Sequence, residues 1–160
     1  MIAKVIIIAL LVAAPAGAQF REDGEAAKQA KLPTSASNIW SVLRTTVVKV
    51  DDRAGRFTAS HPAPVRALAG QSLTITGFML PLEPASKVSH FLLSKYTPVC
   101  AFCPPGEPNE VVEVQTSRPI AVDTRMISVT GVFALQNNGD NGLFFKLSGA
   151  SVGAAQRKAS

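Results

Sequence analysis

Cysteine and histidine are scarce in this chain, with two of each in 160 residues, alongside one tryptophan and one tyrosine. Two cysteines exclude the multi-bridge framework that lets small secreted domains fold with little core. Clustered basic charge is missing as well. The formal net charge is +5, yet lysines and arginines are scattered and only Arg157-Lys158 are adjacent. A nucleic-acid partner would select a basic patch or stripe, so that class is excluded. No Gly-rich phosphate loop follows a strand, and Ser89-His90 and the dispersed Ser and Asp residues form no nucleophile motif.

Long apolar runs are confined to the first residues. Met1–Ala18 carries one charge, Lys4, then an apolar run from Val5 to Ala14, Pro15, and Ala16-Gly17-Ala18. A short positive start, a brief apolar stretch and an A-x-A-like site read as a cleaved secretory signal. The run is too short to cross a ~30 Å hydrocarbon core. No membrane span is expected after cleavage, and the protein is expected to be periplasmic or secreted, with a net charge of +4. Residues 19–37 read as a mobile N-terminal segment, 38–150 as a single domain, and 151–160 as a flexible tail.

What remains reads as β structure. Asn38–Arg44 suits a short helical turn presenting Ile39, Trp40 and Leu43. Thr45–Val50 is β-branched and ends at the turn-prone Asp51-Asp52. Arg53–Ala69, with Gly55, Pro62 and Pro64, reads as a long connection with little regular structure. Ser72–Leu80, Val88–Ser94, Asn109–Gln115, Met126–Leu135 and Leu143–Ser148 follow as strands, mostly with alternating polarity. The Asn/Gly/Asp run at 136–142 reads as a hairpin turn. Gly77 and Gly131 interrupt two good strands within the matching patterns Ile-Thr-Gly-Phe and Val-Thr-Gly-Val, which marks bulges or tight barrel bends. The expected fold is all-β and mainly antiparallel, a small OB-like barrel of five to six strands, with a β-sandwich as the alternative.

Chemistry concentrates in Cys100-Ala101-Phe102-Cys103-Pro104-Pro105-Gly106-Glu107-Pro108-Asn109-Glu110, which holds both cysteines. Three readings compete. A structural disulfide is permitted in an oxidising compartment, but its short loop gives only about 2 kcal/mol of stabilisation. A thiol–disulfide redox pair ordinarily draws its low pKa from a helix N-terminus, and Pro104-Pro105-Gly106 blocks such a helix. A metal site needs four ligands for zinc, so one C-x-x-C is half a site. His90 on the preceding strand and Glu107 or Glu110 downstream are the candidate completing ligands. Copper(I) would accept the thiolates with Met79 or His90. His61 lies in the Pro-rich connection and is less tied to the hairpin.

Ordered blocks carry a family resemblance: Leu68-Ala69-Gly70-Gln71, Ile75 to Glu83, His90-Phe91-Leu92-Leu93-Ser94, Cys100-Ala101-Phe102-Cys103, Pro108-Asn109-Glu110, and Gly142 to Leu147. Over roughly residues 65–150 the chain resembles the DUF3299 family of exported bacterial proteins. The resemblance implies an accessory or binding role more than catalysis, in company with ABC-type transporters that handle metals, zinc especially. Ala101 stands where the family motif has proline, and Glu107 where it has a second glycine. Both cysteines and His90 remain, so the resemblance implies a shared ligand set of Cys100, Cys103 and His90. The lipidation cysteine of anchored relatives is absent.

Overall fold

The computed structural model describes residues 28–51, 53–99 and 106–154. The chain divides into two units, Met1–Lys31 and Leu32–Ser160, and the second carries the fold. Helix α1 (Asn38–Leu43) leads into a hairpin of β1 (Val47–Asp51) and β2 (Arg56–Ser60), followed by the short helix α2 (Ala63–Arg66). Five longer strands come next: β3 (Ser72–Pro81), β4 (Lys87–Ser94), β5 (Val111–Ala121), β6 (Met126–Asn138) and β7 (Leu143–Ala154).

These five close into a barrel in the order β3-β4-β5-β7-β6, with β6 returning to β3. All pairings are antiparallel except β5 with β7, where Glu113 faces Lys146 and Val114 faces Leu147. That single parallel contact closes a five-stranded Greek-key barrel of the OB kind. Alternation explains the inside: Ile75, Phe91, Leu93, Val112, Val129 and Leu147 are fully buried. Their even spacing sends every second side chain to one face of the sheet.

The two strand glycines sit where the barrel bends. β3 pairs with β6 from Ser72 to Phe78 and with β4 from Phe78 to Pro81. Gly77 lies at that handover, and a Cβ there would come within 2.6 Å of the Ser94 carbonyl oxygen. Gly131 lies at a register shift between β6 and β7.

The segment before the barrel is more ordered than its sequence suggests. Arg53–Ala69 contains β2 and α2, a correction to its reading as irregular connection. The sequence signal is weak because β2 is only five residues long. Phe57 and Ala59 turn inward between exposed neighbours, and the Phe57 amide donates to the Gly139 carbonyl at 2.8 Å. The prolines start α2 rather than break it, since first-turn amides have no helical partner to lose. Trp40, Leu43 and Val65 are buried against the barrel core, and the Trp40 indole N–H donates to the Thr76 carbonyl at 2.8 Å.

Part of the expected mobile lead-in is also fixed. Ser35 is buried, its hydroxyl donates to the Thr76 carbonyl, and Thr34 bridges to Tyr96. Residues 151–154, expected in a flexible tail, continue β7. No helix among the described residues is long and apolar enough to cross a membrane.

Candidate functional site: a carboxylate neck and a carboxylate-bound imidazole

Ser94, the last residue of β4, pairs with Val111, the first of β5. The chain between them therefore leaves the barrel and returns at adjacent points. Its return is a single 3-10 turn, Pro108–Glu110, and Glu110 ties the two ends together. The Glu110 carboxylate, 6% exposed, accepts from the Tyr96 hydroxyl at 2.9 Å and meets Lys95 Nζ at 3.3 Å and Arg44 Nε at 3.1 Å. Its second oxygen accepts the Glu107 amide at 3.2 Å. The Glu107 carboxylate reciprocates by accepting the Glu110 amide, which completes a capping box.

The backbone adds a bond from the Lys95 amide to the Glu110 carbonyl. Lys95 Nζ also lies 4.7 Å from the centre of the Tyr96 ring. Gly106 has φ +141, and a Cβ there would approach Glu110 Oε2 at 3.0 Å and the Tyr96 ring at 3.1 Å. Only glycine fits between them. Asn109 donates its amide to the carbonyls of Thr46 and Arg44, at 3.0 and 3.3 Å, which joins the neck to the chain after α1. The block Pro108-Asn109-Glu110 is thus accounted for by the closure of this neck.

A second polar cluster lies on the outer face of four adjacent strands. His90 on β4 places Nε2 2.7 Å from Glu113 Oε1 on β5. Gln136 on β6 donates to Glu113 Oε2 at 2.6 Å, and Lys146 Nζ on β7 lies 3.5 Å from Oε1. The Glu113 side chain is 12% exposed and that of His90 is 44% exposed. Burial raises the Glu113 pKa, but the hydrogen bonds from Gln136 and His90 and the charge of Lys146 outweigh it. The net effect holds the carboxyl below its ordinary range, so Glu113 is ionised at neutral pH.

A groove of about 640 Å³ lies beside the neck. Leu82, Leu92, Val111, Leu143, Phe57 and Pro108 give it apolar walls, and Gly106 and Glu107 line it too. His90 lies two residues before Leu92 on the same strand face, about 7 Å along it.

The residues singled out in the sequence fall in different places. Cys100 and Cys103 lie outside the described residues. Glu110 is enclosed in the neck. His90 stands opposite Gln115, five residues along the chain from Glu110 and about 16 Å away at the rise of a strand. Glu107 lines the groove while capping the turn. Met79 is buried in the barrel core.

His61 packs against Phe144 and Phe145 and bonds to the Thr46 hydroxyl. Burial, and secondarily the charge of Arg66, lower its pKa. Among the described residues no three His, Cys, Asp or Glu side chains gather as a metal-holding group.

Glu113, Gln136, Lys146, Lys95, Tyr96 and Arg44 were not foreseen. Glu113 reads from sequence as the solvent side of a strand, and only the register of β4 on β5 reveals His90 beside it.

Comparison with known proteins agrees with this architecture. The crystal structure of a DUF3299 family protein from Pseudomonas aeruginosa superposes with a TM-score of 0.53 at 22% identity, covering 79% of this chain and 86% of that one. No curated protein matches the chain. The family described as "Protein of unknown function (DUF3299)" matches residues 17–145, and the chain belongs to that family.

Proposed function

We propose that this protein is an exported, non-catalytic binding module of the bacterial envelope, and that the segment bearing Cys100 and Cys103 is its working part. In this reading the two thiolates and the His90 imidazole take a soft transition metal, zinc or copper, for a transport or homeostasis system such as an ABC-type transporter. The observation that carries the reading is the neck. A buried ion pair is a poor source of net stability, because desolvation of both charges offsets their attraction. Lodging Glu110 among Lys95, Tyr96 and Arg44 instead specifies where the cysteine segment departs and returns. It favours a segment whose ends must be placed accurately.

The donor chemistry fits the metal. Two thiolates and an imidazole suit zinc and copper(I), and three protein ligands leave a fourth position for exchange. Cys103 is three residues from Gly106, a span of up to about 10 Å, so the reading requires the cysteine segment to lie back along the barrel towards His90. The bound metal would supply only a coordination centre. The chain's own part is to hold the ligand-bearing segment and exclude water along the apolar groove. Glu110, fully engaged in the neck, is not among the ligands in this reading.

The test is a competition titration of the reduced full chain against a chromophoric chelator. One zinc or copper(I) per chain is expected at micromolar or tighter affinity, abolished by Cys100→Ser with Cys103→Ser. Absence of binding by reduced protein overturns the metal reading, and thiols that alkylate only after reduction point to a structural disulfide. Export is tested separately: protein from the envelope fraction is expected to start near Gln19.

A further inference from the structure

We infer that Glu113 is a positioning residue that fixes the His90 ring with its proton on Nε2, leaving Nδ1 as a lone-pair donor at the barrel surface. Nε2 lies 2.7 Å from Glu113 Oε1. An ionised carboxylate only accepts hydrogen bonds, so Nε2 must be the donor and, in the neutral ring, Nδ1 carries the lone pair. Glu113 is itself held. Gln136 occupies its other oxygen at 2.6 Å, and Lys146 balances its charge from 3.5 Å.

Three neighbouring strands thus contribute one residue each to orient an imidazole carried by a fourth. Fixed strands make this arrangement more accurate than a loop would. The Glu113 carboxylate is mostly shielded while the imidazole is nearly half exposed, which is the order of burial expected of a support and the group it presents. Ligating histidines commonly give their second ring N–H to a carboxylate that sets tautomer and basicity. The use of Nδ1 for a metal rests on the reading above; the tautomer does not.

The experiment is long-range proton–nitrogen correlation of the imidazoles in the metal-free, nitrogen-15-labelled full chain at mildly alkaline pH. Wild type is expected to show one tautomer, protonated at Nε2, with a slowly exchanging ring proton. Glu113→Ala should give mixed tautomers and a ring proton lost to exchange. If that variant fails to fold, Gln136→Ala should accelerate the same exchange by a smaller factor. A wild-type ring protonated at Nδ1, or a ring proton equally protected in the variants, overturns the inference. In the zinc titration Glu113→Ala is expected to weaken binding about 10- to 100-fold. A correct tautomer with no metal bound contradicts the function reading alone.

Discussion

Glu110 and Glu113 lie three residues apart, and both are shielded carboxylates with several donors, yet they do different work. Glu110 faces Lys95, Tyr96 and Arg44 and closes the ends of a loop. Glu113 faces His90, Gln136 and Lys146 and orients a ring on the open face of the barrel. The comparison teaches that a carboxylate's role follows from what its partners are attached to. Lys95 and Tyr96 leave the barrel and Arg44 follows α1, so Glu110 ties chain segments together, with Lys95 only 13% exposed. His90 stands on a barrel strand and is 44% exposed, so one ring nitrogen can remain available.

The largest expected effect comes from breaking the neck. Glu110→Ala should lower the unfolding free energy by about 3 kcal/mol, because it strands the nearly buried Lys95 charge. Urea unfolding followed by circular dichroism measures it, and a double-mutant cycle with Lys95→Met should show a coupling well above the scatter. Asn109→Ala removes the bonds to the Thr46 and Arg44 carbonyls and is expected to cost about 1–2 kcal/mol.

Glu113→Ala should cost less, about 1 kcal/mol or below, since Lys146 and His90 can turn to water. Equal losses at Glu110 and Glu113 would erase the distinction between lock and support. The smallest effect lies outside both carboxylates. The folded-state pKa of His61 lies below 6.5, so the unfolded chain binds the proton more readily. Stability should therefore decline as pH falls below about 6.5, and His61→Asn should flatten that acid-side slope in unfolding curves.

Much of the barrel was legible in the sequence because alternation is a local property. Ile75, Phe91 and Val129 fall on the interior face by counting in twos, and Gly77 and Gly131 mark bends where a Cβ would strike a neighbouring strand. The hairpin of β1 and β2 was only half legible. Pro62 and Pro64 read as irregular chain, although proline is equally at home in the first turn of a helix.

The candidate site was less visible still, since register is a long-range property. His90 and Glu113 meet across 23 residues of chain and Glu113 and Lys146 across 33, distances that no local pattern spans. Glu110 drew attention as a possible ligand because acidic residues near a C-x-x-C suggest coordination. Its partners Arg44, Lys95 and Tyr96 come from two other parts of the chain and give it a different task.

The central claim is that the reduced cysteine pair and His90 form one metal site supported by this barrel. Cobalt(II) titration of the reduced full chain tests it most directly. The account predicts a thiolate-to-cobalt charge-transfer band that saturates at one metal per chain. The band should disappear in Cys100→Ser with Cys103→Ser, and the visible ligand-field bands should shift in His90→Ala. No charge-transfer band in reduced wild-type protein, or visible bands unaltered by His90→Ala, would contradict it.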